Sequence, residues 1–160
     1  MNSYVDPFDI PELSDEEAAQ LAAKWKEEGR RRHLEETVPV AEAATLLGTG
    51  AHQVKADIAA GRLWTLSQSG EERVPRWQLV KTGNSGGSAP YRRLPHLTEV
   101  LKAMPATLSG GSGAMMHGWM TTPHDETLVD CEPVSAVEWL AGGRDPAPVI
   151  EALTDFDWTL

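Results

Sequence analysis

The sequence has little cysteine and no long hydrophobic stretch, and each absence excludes a class of protein. Its 160 residues include a single cysteine, Cys131, so a disulfide within the chain and a zinc ribbon are both excluded. No run of eighteen apolar residues is present, which argues against a membrane-spanning helix. The first residues lack a basic region followed by an apolar stretch, the pattern of a secretory signal peptide. These features predict a cytoplasmic protein.

Catalytic and cofactor-binding motifs are also absent from the sequence. There is no glycine-rich phosphate loop and no GxSxG nucleophile elbow. His117, His124 and Cys131 are spaced seven residues apart, which matches no common zinc pattern. Cys131 stands between two acidic residues, which disfavours a reactive thiolate. We therefore expect a protein that is not an enzyme, with no catalytic residues, no cofactor and no metal.

The net charge is −10, and the charges are unevenly distributed along the chain. Residues 1–36 carry ten acidic and five basic side chains, and residues 113–160 carry nine acidic and one basic. Residues 37–112 are slightly basic, with eight basic and five acidic side chains. Basic side chains that bind DNA release counterions from its phosphates, and this release favours binding. Contact with DNA is therefore expected only in this slightly basic middle part, and dimerisation is expected to strengthen the binding. The acidic end is expected to bind a different partner.

The first 36 residues are predicted to form an arm and one helix. Residues 1–13 read as a mobile arm, and Ser14 with Glu17 forms a capping box that begins the helix. One face of this helix is apolar at helical spacing: Ala18, Leu21, Ala22 and Trp25. The helix is expected to end near Gly29. The basic residues Arg30–Arg32 that follow are interpreted as a solvated last turn, with a phosphate-contacting arm as the alternative.

Residues 37–82 are predicted to form a small DNA-binding domain. Two short helices, 40–48 and 51–61, each end at a glycine. A strand at 62–66, a turn at 67–70 and a returning strand at 73–75 follow them. Helix, turn, helix and hairpin in this order are typical of a winged helix-turn-helix domain.

The second helix of this domain is the predicted recognition helix. Val54 and Ile58 are expected to face inward, which directs the polar residues toward a major groove. Glutamine can pair with adenine, whereas lysine and arginine can bind guanine edges or phosphates. Glu71 and Glu72 would repel phosphate, so the tip of the hairpin is expected to stay away from DNA. The candidate DNA-binding residues are His52, Gln53, Lys55, Arg62, Arg73 and Arg76.

The rest of the chain is predicted to form a flexible linker at 83–93 and an all-helical domain at 94–160. Glycine and serine dominate the stretch from 82 to 90, which favours flexibility. Helices are expected to begin at Leu94, near Met115, at Pro133 and near Pro146. The fold class is therefore mainly α, with two domains after the N-terminal segment of residues 1–36.

Two segments of the sequence resemble known families. The segment VPVAEAATLLGTGAHQVKADIAAGRLWTL, followed by RVPRWQLV, resembles the excisionase-type winged helix of some actinobacterial antitoxins. The segments LPHLTEVLKAMP and HGWMTTPHDETLVDCEPVSAVEWLAGGRDPAPVIEAL are similar to the Xre/MbcA/ParS-type toxin-binding domain. The matching positions of that domain are Trp119, Thr122-Pro123, Leu128, Pro133, Leu140 with Gly142 or Gly143, and 149–153.

This resemblance implies a type II antitoxin that neutralises a RES-domain, NAD-consuming toxin and represses its own operon. Operator DNA and the toxin would then be the partners, in a homodimer or a toxin–antitoxin hetero-oligomer. The candidate toxin-binding residues are Trp119, Trp139, Arg144, Asp155, Phe156, Asp157 and Trp158. The aromatic residues of the tail either anchor the toxin or close the protein's own core. The alternative function is a stand-alone transcription regulator or phage-type excisionase with a C-terminal protein-interaction or dimerisation domain.

Overall fold

Helices make up most of the regular structure in residues 13–83, 89–105 and 113–158, the parts of the chain that the computed structural model describes. The mainly α fold class is thereby confirmed. Small antiparallel sheets accompany the helices. The chain divides into two compact units, Met1–Leu34 and Glu35–Leu160. Within the described ranges, no helix is both long and apolar enough to cross a membrane.

The first helix, α1, spans Asp15–Glu36 and begins at the predicted capping box. The Ser14 hydroxyl donates to the Glu17 carboxylate at 2.7 Å, and the Glu17 amide donates to the Ser14 hydroxyl oxygen at 3.3 Å. The bond from the Ser14 hydroxyl, together with one from the Ser14 amide at 2.9 Å, lowers the pKa of the Glu17 carboxylate. The predicted end at Gly29 is wrong, because a glycine inside a helix costs only about 1 kcal/mol and an ion pair between Glu27 and Arg30 spans this position at 2.6 Å. Residues 1–12 of the predicted arm lie outside the described residues.

The two predicted short helices are confirmed as α2, Val40–Leu46, and α3, Ala51–Ala59. Gly48 and Gly61 follow them with φ angles of 63° and 70°, left-handed values that glycine adopts without strain. Between the two helices, a Cβ on Gly48 would lie 2.8 Å from the Cβ of Ala89. The turn therefore needs glycine both for its backbone angle and for this close approach.

A three-stranded antiparallel sheet with the order β1-β3-β2 packs next to these helices. Its strands are β1, Thr37–Pro39, β2, Leu66–Gln68, and β3, Glu71–Pro75. The strand expected at 62–66 instead begins at its last residue. The amides of Arg62 and Leu63 donate to the Asp57 carbonyl at the end of α3, at 2.8 and 3.2 Å. The backbone N–H and C=O of Trp64 bond the fully buried side chain of Gln78 at 2.8 Å each, so these three residues do not pair with a strand. The sequence did not predict β1.

The stretch predicted as a linker closes a hairpin at both of its described ends. After a 3-10 turn at Arg76–Gln78, strand β4, Leu79–Lys81, pairs antiparallel with β5, Tyr91–Arg93. The Thr82 amide donates to the Pro90 carbonyl at 3.1 Å, and the Thr82 hydroxyl donates to the Ala89 carbonyl at 2.7 Å. These residues therefore form a hairpin rather than a connection between separate domains, and residues 84–88 lie outside the described part.

The remaining elements combine helices with one more hairpin. They are α4, Leu97–Ala103, α5, Gly113–Thr121, β6, Pro123–Val129, β7, Glu132–Ser135, α6, Ala136–Ala141, and α7, Ala147–Asp155. The prediction of an all-helical 94–160 domain is wrong, because β6 and β7 pair antiparallel around a turn at Asp130 and Cys131. Pro133 lies in β7 and begins no helix. Helix α6 begins instead after Ser135, which forms a complete capping box with Glu138.

One hydrophobic core extends through the unit Glu35–Leu160. It joins buried residues of α2, α3 and the first sheets with buried residues of α4 to α7. At Gly113, the first residue of α5, a Cβ would collide with the side chain of Leu66 in β2. The segments 37–82 and 94–158 therefore share a core, although the sequence predicts them as separate domains. The largest fully buried side chains are Leu63, Met116, Met120, Leu140 and Leu153, with Gln78 and five valines.

Candidate DNA and protein interfaces

Helix α3 exposes polar side chains opposite its buried residues, at His52, and on its two flanks, at Gln53 and Lys55. Val54 is completely buried and Ile58 is half-buried, whereas His52, Gln53 and Lys55 are exposed. The helix begins after Gly50, which provides no side-chain cap for the first turn. The predicted orientation of α3 is therefore confirmed, and its first turn and polar face are accessible.

The buried carboxylate of Asp57 holds two of the candidate DNA-binding residues in place. Gln53 donates to Asp57 through its amide nitrogen at 3.2 Å. Arg62 donates to the same oxygen through Nε at 2.8 Å and forms an ion pair through Nη2 at 2.7 Å. The Gln53 amide keeps its carbonyl oxygen and its second N–H for other partners. Arg62 remains 42% exposed, so its outer edge is accessible as well.

Arg73 is a structural residue, and its predicted contact with DNA phosphate is contradicted. Its side chain is only 10% exposed. Nε donates to the Thr37 hydroxyl at 2.8 Å, one terminal nitrogen donates to the Thr37 carbonyl at 3.3 Å, and the other pairs with Glu71 at 3.1 Å. Thr37 lies in β1 and Arg73 lies in β3, so this guanidinium fastens the two strands together.

Arg76 is accessible but already engaged. It donates through Nε to the Glu35 carbonyl at 2.9 Å and approaches the Glu42 carboxylate at 3.4 Å. Its charge is thus partly neutralised by Glu42. The structure leaves it as a weaker candidate for phosphate binding than the exposed bases beside α3.

Two arginines that the sequence analysis missed, Arg92 and Arg93, lie next to α3. Both are exposed on β5 and line two cavities, one of about 480 Å³ shared with Arg62 and one of about 400 Å³ shared with Gln53 and Asp57. Arg92 also donates to the Ala141 carbonyl at 3.4 Å. The only indication of this site in the sequence is the pair of adjacent arginines itself. It was missed because the pair lies within the stretch that is predicted as a flexible linker. We refer to His52, Gln53, Lys55, Arg62, Arg92 and Arg93 as the α3–β5 surface.

A second candidate site has the opposite charge. An open cavity of about 480 Å³ lies between α5, β6 and α7 and is lined by Trp119, His124, Glu126, Pro148, Glu151, Ala152, Asp155 and Phe156. Its three carboxylates are on exposed residues, and Phe156 beside them is 39% exposed. We call this the Phe156 cavity. Carboxylates beside an aromatic ring suit an arginine or lysine side chain of a partner, because both ion pairing and cation–π contact are available.

The aromatic residues of the tail have different roles. Trp158 packs against the hydrophobic core, donates its ring N–H to the Leu153 carbonyl at 3.1 Å and lies 6.2 Å from the buried Trp119 ring. Phe156 meets the Trp158 ring edge-on at 4.6 Å while keeping an exposed side. Of the two alternatives left open by the sequence, Trp158 therefore closes the protein's own core and Phe156 stays available. Asp157 is exposed.

Trp139 and Arg144, also candidates for toxin binding, form a separate contact outside the Phe156 cavity. The Arg144 guanidinium lies 5.4 Å above the Trp139 ring, and the ring N–H donates to the Asp145 carbonyl at 2.7 Å. Both side chains are half-buried. The contact fixes the loop between α6 and α7.

Within residues 13–83, 89–105 and 113–158, no group of three histidine, cysteine, aspartate or glutamate side chains could hold a metal ion. Cys131 is exposed on the turn between β6 and β7. Comparison with models of protein families, with curated proteins and with solved structures finds no match for this chain.

Proposed function

We propose that this chain is an antitoxin that binds operator DNA through the α3–β5 surface and a RES-domain toxin through the Phe156 cavity. The observation that carries the proposal is that Arg92 and Arg93 line the same cavity as Gln53, an exposed polar residue of α3. A helix with accessible polar residues, flanked by arginines on a neighbouring strand, combines groups that read bases with groups that hold phosphates. The proposal is also supported by the order of the short helices, the glycine turn and the β2–β3 hairpin, which is the order typical of winged helix-turn-helix domains.

Gln53 is the residue of this surface best placed to read a base. Because Asp57 fixes one N–H of its amide, the remaining N–H and C=O point in a restricted direction. An amide presented in this way can form the paired hydrogen bonds that glutamine makes with adenine in a major groove. Lys55, Arg92 and Arg93 then serve as phosphate contacts that set the position of α3.

The acidic composition limits how tightly DNA is held. The chain carries a net charge of −10, and the α3–β5 surface offers Lys55, Arg62, Arg92 and Arg93 against it. Each phosphate contact contributes about 0.9 to the slope of log affinity against log salt. We therefore expect modest affinity and a steep dependence on salt, with repression aided by a second protomer on the operator.

The Phe156 cavity supports toxin binding through complementary charge. A toxin that consumes NAD must hold a pyrophosphate, which arginine side chains do well. Glu126, Glu151 and Asp155 provide the matching negative charge, and Phe156 provides apolar area that a partner can bury. Aromatic anchors give affinity in such interfaces, whereas surrounding charges speed association.

The DNA-binding half of the proposal is tested by titrating the protein's upstream DNA in a fluorescence anisotropy assay. Arg93→Ala should weaken binding and lower the salt slope by about 1, and Lys55→Ala should do the same. Lys102→Ala, which removes the same charge from α4 outside both cavities, is the matched control. Unchanged binding by both Arg93→Ala and Lys55→Ala would reject the α3–β5 surface.

The toxin-binding half is tested by co-expression with the protein encoded beside it, which the proposal expects to be a RES-domain toxin. Phe156→Ala should remove protection of cell growth and of NAD levels while DNA binding stays intact. Leu34→Ala is the matched control, because Leu34 is also apolar and 39% exposed but lies on α1, outside the segments that resemble a toxin-binding domain. Full protection by Phe156→Ala would reject the cavity as the toxin site. Retention of DNA binding in a protein that never binds a toxin would favour the stand-alone regulator.

A further inference from the structure

Helix α1 carries an apolar face, and none of its residues is buried within the described part of the chain. At 22 residues it is about 33 Å long. Trp25 near its middle is 64% exposed. Tryptophan is highly buried on average, so a tryptophan this exposed on a well-formed helix indicates a contact surface.

The residues on this face form a stripe with a charge at each end. Ala18, Leu21, Ala22, Trp25 and Gly29 recur at spacings of three and four, so they share one side of the helix. Asp15 precedes the stripe by three residues, and Arg32 follows it by three. The face is therefore apolar in its centre, negative at its beginning and positive at its end.

Such a stripe is complementary to itself when two copies run antiparallel. With the two-fold axis between positions 23 and 24, Trp25 of each copy lies opposite Ala22 of the other, and Ala18 lies opposite Gly29. The same register sets Asp15 against Arg32 at both ends. Large residues then meet small ones and opposite charges meet, which is how two helices pack closely. A parallel pair would instead place Trp25 on Trp25 and Arg32 on Arg32.

We propose that two copies of this chain associate through an antiparallel pair of α1 helices. The proposal holds whether or not the α3–β5 surface binds DNA, because it depends only on residues of α1. If both proposals hold, the α1 pair joins two DNA-binding surfaces in one symmetric particle. Symmetric dimers of this kind bind operators with two related half-sites.

Cysteine cross-linking of the full chain distinguishes this geometry from the alternatives. In a Cys131→Ser background, Ala22→Cys lies next to the two-fold axis and should give a disulfide-linked dimer under mild oxidation. Arg32→Cys should form no disulfide-linked dimer, since its two copies would be about 25 Å apart along the helix axis. Gln20→Cys, on the opposite face, is the matched control and should form no disulfide-linked dimer either.

Each result of this experiment bears on the proposal. Cross-linking of Ala22→Cys alone supports it. Cross-linking of Arg32→Cys overturns the antiparallel arrangement, and absence of cross-linking at Ala22→Cys overturns the pairing on this face. The latter result is expected if residues 1–12 or an unrelated protein cover the stripe.

A charge exchange read by sedimentation tests the same register without cysteine. Asp15→Arg and Arg32→Asp should each raise the dimer dissociation constant several-fold, and the double variant should restore it. Circular dichroism of each variant shows whether α1 stays helical, because both single changes also act on the helix dipole. A double variant that dimerises no better than the single ones, with helicity retained, overturns the Asp15–Arg32 contact.

Discussion

The two halves of the unit Glu35–Leu160 are built alike but differ in surface charge. The half from α2 to β5 and the half from α5 to α7 each contain short helices, a hairpin and a buried tryptophan, Trp77 in the first and Trp119 in the second. Beside these similar cores, the first half exposes Arg92 and Arg93, whereas the second exposes the carboxylates of the Phe156 cavity. The comparison teaches that small cores built from similar elements carry surfaces of opposite charge, and that a few exposed residues make this difference.

One helix of each half, α3 in the first and α6 in the second, begins in a different way. Helix α3 starts after Gly50 with no side-chain cap, whereas α6 starts with a complete capping box between Ser135 and Glu138. A first turn without a side-chain cap is suited to an outside acceptor such as a phosphate, and a capped turn is already satisfied. Helix α3 thus leaves more of its first turn for a partner to complete than α6 does.

The largest expected effect tests whether the halves are energetically separate. Leu140→Ala removes a fully buried side chain of α6 and should lower the free energy of unfolding by about 2–5 kcal/mol. Because the core is continuous, the unit should still unfold in one transition, and DNA binding should be lost at the same temperature as the secondary structure. Scanning calorimetry and binding measured against temperature check this.

Leu128→Ala is the control for that experiment, since Leu128 is half-exposed and its loss should change stability by less than about 0.5 kcal/mol. Two separate transitions in Leu140→Ala, with the α3–β5 surface still binding DNA after the first, would show that the halves fold independently.

A smaller effect separates the structural arginine of the first half from its surface arginines. Arg73→Ala leaves the hydroxyl and carbonyl of Thr37 without this donor and should cost about 1–3 kcal/mol of stability. Arg93→Ala should leave stability within about 0.5 kcal/mol while weakening DNA binding. Denaturant unfolding measures the stability of each variant, and DNA titration well below the melting temperature measures its affinity for DNA. If Arg73→Ala kept full stability but lost DNA affinity, Arg73 would belong to the DNA interface.

Local signals explain which parts of the fold the sequence predicts. The capping box at Ser14 and the glycine stops at Gly48 and Gly61 act within a few residues, and all three are confirmed. The β6–β7 hairpin has no such signal, because its turn uses Asp130 and Cys131 at positive φ where Asn-Gly or Asp-Gly is usual. Only Thr127 of β6 is buried, so the alternation that marks a strand is also missing.

The candidate sites were predictable to the extent that they depend on one helix. The facing of α3 followed from its own periodicity, and so did the exposure of His52, Gln53 and Lys55. The burial of Arg73 did not, because it depends on β1, which pairs with β3 from 36 residues earlier in the chain. Arg92 and Arg93 lie beside α3 because β4 pairs with β5, and no local pattern in the sequence predicts this pairing.

The next prediction concerns the capping box that distinguishes α6 from α3. Ser135→Ala removes the hydroxyl that accepts the Glu138 amide at 3.2 Å and should cost about 1 kcal/mol of stability. Gly50→Ser offers the reverse comparison at α3, where a new cap would compete with phosphate for the first turn. The new Cβ would also lie 2.7 Å from the His52 ring, which must then move. For both reasons we expect Gly50→Ser to weaken DNA binding, measured by anisotropy, without lowering the melting temperature. Tighter binding would contradict this use of the first turn of α3.

The smallest effect is the pH dependence of that cap. Hydrogen bonds from the Ser135 hydroxyl and amide to the Glu138 carboxylate lower its pKa below the ordinary value of 4.5. Since the folded pKa is the lower one, the contribution to stability is present above the unfolded pKa and is lost as pH falls through the folded value. The melting temperature of the wild type should therefore fall more than that of Glu138→Gln between about pH 6 and about pH 3. Glu132→Gln, an exposed neighbour outside the capping box, is the control and should follow the wild type. Because Glu138 is exposed, solvent screens the bonds and the difference should be a small one. Parallel melting curves for the wild type and Glu138→Gln would show that the carboxylate of Glu138 contributes nothing to the start of α6.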